Sequence, residues 1–121
     1  NPGVNLLSYD EGLLSGGQGT YDLGFSVNPA DKNNVYVGGI NVWASNDGAV
    51  TFNPAAHWTL NYGATVHADI HFIETQPSTG NIFVCNDGGL YKTDSIITQT
   101  WTDANSPEFD TSPHFLTYSL L

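Results

Sequence analysis

The feature that most limits how this chain can fold is an internal repeat, because residues about 47 positions apart match in type along much of the sequence. The matched segments are 22–25 with 69–72, 34–37 with 81–84, 43–45 with 91–93 and 51–52 with 100–101, the last two after one and two residues of slippage. Four matches in a single order predict two structurally equivalent units, since a repeated sequence pattern indicates a repeated supersecondary structure.

Each unit is predicted to contain four short strands joined by turns rich in Gly, Asn, Asp and Pro. The predicted strands are 20–27, 34–39, 42–45 and 57–61 in the first unit, and 66–74, 81–85, 89–93 and 100–103 in the second. A further strand is predicted at 115–118.

Repeats of this length with four strands each are typical of β-propeller blades. We therefore predict an all-β protein, a β-propeller fragment of about two four-stranded blades plus the start of a third. The predicted divisions are a lead-in segment 1–15, blade-like repeats 16–62 and 63–107, and the start of a further strand or blade at 108–121. An immunoglobulin-like sandwich fits the number of strands but does not account for the repeat.

Two blades alone would leave strand edges unpaired and bury too little surface. Further blades, from the same parent chain or from other subunits, are therefore the expected partners. The chain begins at Asn1-Pro2-Gly3 without an initiator Met and ends in an apolar run, and we interpret it as part of a larger protein.

The charge of the chain excludes several classes of partner. Twelve acidic residues oppose two lysines and no arginine, which gives a formal net charge of −10. Nucleic acids and anionic lipids require cationic surfaces, so neither is expected as a partner. No apolar run approaches the roughly 18 residues of a membrane-spanning helix, so membrane insertion is not expected either. The acidic composition suits solubility, a divalent cation or a neutral polymer such as a glycan.

Residues 45–52 match the Asp-box pattern Ser-x-Asp-x-Gly-x-Thr-Trp/Phe, except that Ala49 stands at the usual Gly position. We expect the Asp carboxylate to accept backbone N–H groups of the turn, the Ser hydroxyl to cap it and the aromatic ring to pack between sheets. The residues given this structural role are Ser45, Asp47, Gly48, Thr51 and Phe52. The second copy, 93–101, keeps the closing aromatic residue but lacks the Asp-Gly core.

Five segments in a fixed order carry a family resemblance. They are 17–23, 35–39, the Asp-box 45–52, 67–71 and 86–92. Together they resemble the Asp-box (BNR, sialidase-type or sortilin-like) β-propeller regions of large secreted bacterial proteins. The family's usual His-Ala-Asp-Gln-His segment is similar to 67–71, with Ile70 in place of Gln. The resemblance extends over about 16–103, and it implies a propeller fold and an extracellular or cell-surface location.

Two histidines and an aspartate at alternate positions form the sharpest chemical pattern in the sequence. If 66–74 is a strand, then His67, Asp69 and His71 face the same side of it, because side chains alternate along a strand. Imidazole and carboxylate groups bind zinc and other divalent metals, so these residues are candidate metal ligands. The alternative is that Asp69 fixes the backbone or the histidine tautomers, in which case no cofactor is needed.

Asp22 and Asp69 are equivalent in the repeat and, in a propeller, would both lie on innermost strands. A carboxylate pair beside a central cleft could act as acid and base in glycoside hydrolysis. A repeated structural contact explains a repeated Asp better, since catalytic residues are usually unique. Sialidases share the Asp-box, but they grip the substrate carboxylate with arginines, which this chain lacks.

Two further features concern recognition and modification. Trp58 is the aromatic residue that the repeat explains least, and aromatic rings can stack on sugars. Asp94-Ser95-Ile96 resembles a bacterial O-glycosylation acceptor, which makes Ser95 a candidate for modification.

The sequence as a whole favours a non-catalytic, extracellular propeller scaffold or binding module in a larger secreted protein. The expected ligand is a glycan, a protein partner or another copy of the module. The alternatives are a glycoside hydrolase segment that uses Asp22 and Asp69, and a structural module stabilised by a divalent metal on the histidine–aspartate pattern.

Overall fold

A computed structural model of the chain describes residues 4–9, 16–59, 65–95 and 100–105. These residues form two four-stranded antiparallel sheets and no helix, which confirms the all-β prediction. Sheet 1 contains β1 (Gly24–Val27), β2 (Val35–Gly38), β3 (Val42–Ser45) and β4 (Asn53–Ala56). Sheet 2 contains β5 (Ile70–Thr75), β6 (Ile82–Asn86), β7 (Gly89–Thr93) and β8 (Thr102–Asp103). Nowhere in these ranges is there a helix long and apolar enough to cross a membrane.

The strand order distinguishes the repeat from an immunoglobulin-like sandwich. In that sandwich each sheet mixes strands from distant parts of the chain, whereas here each sheet is an open meander of four consecutive strands. The described strands do not close into a ring. Sheet 1 lies within 16–62 and sheet 2 within 63–107. The segment 108–121, with the strand predicted at 115–118, lies outside the described residues.

The fourth strand of sheet 1 was predicted at the wrong place. It is β4, directly after the Asp-box, and not 57–61. Pro54 argues against a strand from sequence because it lacks an N–H group, but a sheet edge tolerates Pro, and β4 is an edge strand. Among the described residues of this segment, the strand pairing of His57 is an isolated bridge to Thr65.

Two other strands begin four residues later than predicted. β1 starts at Gly24 rather than 20, since Thr20 and Tyr21 belong to a turn closed by the bond from Tyr21 N–H to Gln18 C=O. β5 starts at Ile70 rather than 66, because Asp69 has a left-handed backbone with φ of 65°, which no strand residue adopts.

The first three strands of the two sheets pair in equivalent register. In sheet 1 one rung joins Val27, Val35 and Ser45; in sheet 2 the same rung joins Thr75, Ile82 and Thr93. The extra residue His71 lies in a bulge between Ile70 and Phe72. Along β1 and β5 the aligned residues are 48 positions apart, as Val27 and Thr75 are. Because of the extra residue in the bulge, residues before it are again 47 apart, and Asp22 and Asp69 both come just before an innermost strand.

Corresponding faces of the two sheets do not face each other. Sheet 1 directs Tyr36, Val42 and Ala44 into the shared core, and we call this its forward face. Sheet 2 meets it with Ile73, Ile82 and Val84, which belong to the opposite set of rungs, and we call this side the rear face. By the rung alignment, Ile73 corresponds to the exposed Phe25 of sheet 1, and not to any forward-face residue.

Glycines on β1 and β2 allow β5 to approach sheet 1 closely. A Cβ atom on Gly38 would lie 2.4 Å from Ile70 Cγ2, and one on Gly24 would lie 2.8 Å from Ile73 Cγ1. The hydroxyls of Ser26 and Thr75 share a hydrogen bond of 3.1 Å across the same interface. The main contact between the sheets is therefore made at β5, which packs on β1 and β2.

The connections lie at two opposite ends of the sheets. At one end, here called the site end, are the segments that precede β1 and β5 and the turns that follow β2 and β6. There the Ile70 N–H donates to Gly39 C=O at 2.8 Å and joins the sheets. The Asp-box turn lies at the other end, the Asp-box end, where Gly48 N–H donates to Asn33 C=O at 3.0 Å.

Candidate functional site

The site end brings together Asp22 and Asp69, the carboxylates that the repeat makes equivalent. One amide joins them, since Gln18 Nε2 donates to Asp22 Oδ2 at 3.2 Å and also to Asp69 Oδ1. The two carboxylate oxygens are thus no more than about 6 Å apart, or two hydrogen-bond lengths. The Gln18 amide thus links the segment that precedes β1 to the segment that precedes β5.

Asp22 is enclosed by protein. Its exposed surface is 0 %, and its Oδ1 atom is buried with no hydrogen-bond partner among the described residues. Burial raises the pKa of Asp22, and the nearby Asp69 carboxylate raises it further, while the Gln18 hydrogen bond acts in the opposite direction. Asp22 is therefore positioned to hold the packing of the site end rather than to reach a ligand.

The three predicted metal ligands do not converge. The prediction assumed that 67–71 is a continuous strand, but His67 and Asp69 precede β5 and His71 occupies the bulge. His67 is exposed, and Gly88 packs against it so closely that a Cβ there would lie 2.4 Å from His67 Cβ. Within the described ranges, no group of three or more His, Cys, Asp or Glu side chains is arranged to hold a metal ion.

His71 instead takes part in a clamp between the two sheets. His71 Nε2 lies 2.6 Å from Asp87 Oδ1, in the turn between β6 and β7. The Tyr21 hydroxyl lies 3.3 Å from Asp87 Oδ2, and the Tyr21 ring meets the imidazole edge-on with centroids 5.0 Å apart. The hydrogen bond to Asp87 raises the pKa of His71, and the reciprocal bond lowers the pKa of Asp87.

Sequence reasoning missed an open depression beside the carboxylates. Its volume is about 330 Å³, and it is lined by Tyr9, Gln18, Ile40, Trp58, Ala68 and Asp69. The two aromatic residues are half exposed, Trp58 at 51 % and Tyr9 at 57 %. The unexplained place of Trp58 in the repeat was the one sequence signal of this feature.

Trp58 is held in position from behind. Its backbone N–H donates to Asn41 Oδ1 at 3.1 Å, and Asn41 is itself buried. The indole ring stacks on His57, with centroids 6.3 Å apart and planes 22° apart. Trp58 is thus half exposed while its backbone and one side of its ring contact the protein.

The Asp-box residues form a hydrogen-bonded turn at the far end. Asp47 Oδ1 accepts the N–H groups of Val50 and Thr51 at 3.0 and 2.9 Å, and Oδ2 accepts the Thr51 hydroxyl at 2.6 Å. The Ser45 hydroxyl donates to Asp47 Oδ1 at 2.7 Å and accepts the Ala49 N–H at 2.9 Å. These bonds lower the pKa of Asp47 to about 2. Gly48, with φ of 74°, makes the turn, and Phe52 is half-buried.

The second repeat keeps part of this turn. Thr93 occupies the rung position of Ser45, and its hydroxyl accepts the Ser95 N–H at 3.2 Å, as the Ser45 hydroxyl accepts the Asp47 N–H at 3.3 Å. Ser95, the candidate modification site, therefore lies just after β7 at the Asp-box end and is half-buried. Trp101 caps the core and donates from Nε1 to Ala55 C=O at 3.1 Å.

Comparisons with known proteins add nothing to this geometry: no family model, curated protein or solved structure matches the chain.

Proposed function

We propose that the chain is a non-catalytic, extracellular scaffold and binding module whose two sheets are successive blades of a β-propeller. The observation that carries this proposal is the packing of the forward face of sheet 1 on the rear face of sheet 2. Blades around an axis pack in this way, each one turning the same pair of faces toward its neighbours. The extracellular location rests on the resemblance to secreted Asp-box proteins.

The inner strands support the same arrangement. β1 and β5 are each the first strand of a sheet, and they contact each other, as innermost strands around an axis do. The opposite faces of the pair are exposed at the innermost strands: Phe25 is 63 % exposed on the rear face of sheet 1 and Phe72 is 53 % exposed on the forward face of sheet 2. Farther from these strands the same faces are covered, since Trp43 and Phe83 are buried. Preceding and following blades would pack at these positions, and we call the exposed apolar residues there, Phe25 with Val27 on β1 and Phe72 on β5, the apolar strips of the two sheets.

Self-association in solution tests the scaffold. Two unlike faces predict head-to-tail assembly, which sedimentation should detect as species heavier than the 13.0 kDa monomer at micromolar concentrations. Phe25→Glu and Phe72→Glu should each abolish assembly, because a charge replaces the apolar contact. A mixture of the two variants should form a dimer, because each retains the face that the other lacks.

A matched control separates this effect from general surface polarity. Val50 is 67 % exposed at the Asp-box end, away from both strips, and Val50→Glu should assemble like the wild type. A wild-type chain that stays monomeric throughout, or two variants that do not complement each other, would contradict the proposed blade relationship.

A glycoside hydrolase is the second candidate, and the Gln18-bridged carboxylates favour it, since two carboxyl groups roughly 5–10 Å apart flank the scissile bond in such enzymes. Against it stands the complete burial of Asp22, which leaves no path from that carboxyl group to a glycosidic oxygen. Release of a fluorogenic aglycone from neutral glycosides, lost in Asp22→Asn and Asp69→Asn but kept in Asp31→Asn, would replace the non-catalytic proposal with this one.

A further inference from the structure

The depression at the site end has the composition of a sugar-binding surface, and this inference deepens the binding role proposed above. Its lining includes two half-exposed aromatic residues, Tyr9 and Trp58, together with the amide of Gln18 and the carboxylate of Asp69. At about 330 Å³ it lies at the lower end of the range of small-molecule sites, roughly 300–1,000 Å³. It is open, so it would hold part of a long ligand.

The aromatic part of the surface is partly ordered by its neighbours. The buried Asn41 side chain binds the Trp58 backbone N–H, and the indole lies nearly parallel to the His57 ring. These contacts reduce the ordering that a ligand on the indole would impose, which lowers one cost of binding. An exposed indole gains most from a ligand with a flat apolar face, such as the C–H face of a pyranose ring.

The polar part of the surface is fixed as well. Gln18 binds Oδ1 of Asp69, and this bond holds the Asp69 carboxylate against the segment that precedes β1. The Gln18 bond leaves Oδ2 of Asp69 to accept bonds from hydroxyl groups. A ligand that combines a flat apolar face with hydroxyl donors is a carbohydrate.

The charge around the depression determines which class of carbohydrate it can bind. Asp69 lines the depression, Asp22 lies one hydrogen bond behind Gln18, and the chain carries a net charge of −10 with no arginine. A carboxylate or sulfate on the ligand would meet repulsion and no cationic partner. We propose that the depression formed by Tyr9, Gln18, Trp58 and Asp69 binds a neutral oligosaccharide and discriminates against acidic sugars.

Titration with defined oligosaccharides tests this proposal. The neutral probes are cellohexaose, maltohexaose, mannohexaose and xylohexaose; the acidic probes are hexagalacturonate and 3′-sialyllactose. We expect at least one neutral probe to bind at micromolar to millimolar concentrations, observed by calorimetry and by a change in tryptophan fluorescence, and we expect the acidic probes not to bind. Trp58 should dominate the fluorescence change, because Trp43 is buried and Trp101 is packed against the core.

Variants locate the binding. Trp58→Ala should lower the affinity for the neutral probe by roughly tenfold or more. Gln18→Leu should also lower this affinity, because it removes the hydrogen bond that holds Asp69. Val50→Ala, an exposed apolar residue at the Asp-box end, should bind like the wild type, and thermal unfolding should verify that each variant is folded.

Three results would overturn the proposal: no neutral probe binds, an acidic probe binds more tightly, or Trp58→Ala binds unchanged. The self-association test depends on Phe25 and Phe72, which do not line the depression. Loss of the sugar result with assembly intact would therefore refute the ligand and not the scaffold.

Discussion

His71 Nε2 lies 2.6 Å from Asp87 Oδ1, so that an imidazole from the bulge of β5 forms an ion pair with a carboxylate from the turn between β6 and β7. Tyr21, which precedes β1, bonds to the same carboxylate and packs on the same imidazole. The pair thus connects the segment that precedes β1 to sheet 2. Its protonation state therefore affects the stability of the contact between the sheets at the site end.

The first prediction concerns the titration of this pair. The pKa of His71 is raised above its ordinary value of about 6.5, chiefly by the hydrogen bond to Asp87, with a smaller contribution from the Asp22 carboxylate. Because the folded pKa is the higher one, the stabilisation is fully present below the ordinary value and is lost as pH rises through the folded value. We expect Asp87→Asn to return the pKa of His71 toward 6.5, measured by NMR titration of the imidazole.

Asp31→Asn is the control for this measurement, because Asp31 is an exposed carboxylate in the turn between β1 and β2 at the Asp-box end. It should leave the His71 titration unchanged. Equal titration curves for the wild type and Asp87→Asn would mean that the ion pair does not form in solution.

The second prediction concerns acid stability of the Asp-box turn. The pKa of Asp47 is about 2 in the folded chain, below its ordinary value of 3.8, because the carboxylate accepts bonds from Thr51, Ser45 and Val50. Its stabilisation is therefore present above about pH 4 and is lost as pH falls toward 2. We expect Asp47→Asn to be less stable than the wild type at pH 7, with the difference in urea midpoint narrowing across that window.

The comparison of interest is between pH values, since the substitution also replaces an acceptor with a donor. A difference between the wild type and Asp47→Asn that is the same at pH 7 and at pH 2.5 would show that the charge on Asp47 does not contribute.

The third prediction concerns the residue that departs from the Asp-box pattern. Ala49 has φ of 69°, a left-handed conformation that costs a residue with a Cβ atom about 1–2 kcal/mol and Gly very little. Ala49→Gly should therefore raise the free energy of unfolding by about 1 kcal/mol, after the greater freedom of Gly in the unfolded chain is deducted. Urea unfolding would measure the change.

Ala30→Gly is the matched control, because Ala30 is also exposed in a turn but does not have a positive φ. There only the unfolded-state effect remains, so the variant should lose about 0.5–1 kcal/mol. Destabilisation of similar size at both positions would mean that Ala49 is not strained in solution.

How far the sequence predicts this fold depends on how local each determinant is. The strands predicted at 34–39 and 81–85 agree with β2 and β6 to within one residue at each end. β3 (Val42–Ser45) and β7 (Gly89–Thr93) were predicted without error. Apolar strand patterns and Asn-Asp-Gly turns are local signals, which is why these strands could be predicted. β4 was missed because Pro54 is acceptable only at a sheet edge, and no local pattern says which strand is at the edge.

The candidate site was less accessible to sequence reasoning. Asp22 and Asp69 were identified through the repeat, but their shared partner Gln18 is 51 positions from Asp69, a contact that only the packing of the sheets creates. The continuous strand that the metal hypothesis assumed is not formed, since the left-handed Asp69 and the bulge at His71 interrupt the alternation that would have aligned the three side chains.

The last prediction concerns the approach of the two sheets. A methyl group on Gly38 would lie 2.4 Å from Ile70 Cγ2 and 2.7 Å from Ile70 Cβ, closer than real Cβ contacts allow, and Ile70 is fully buried. Gly38→Ala should therefore lower the free energy of unfolding by about 1–3 kcal/mol, the usual cost of overpacking a core. Ile70→Ala alone should cost about 2–5 kcal/mol through the cavity that it leaves. The double variant should cost less than the sum of the two, because loss of Cγ2 removes the closer of the two contacts and leaves only the one to Cβ. Additive losses in urea unfolding would place the two residues apart in solution, and the blade-to-blade contact that underlies the proposed scaffold would then have to be abandoned.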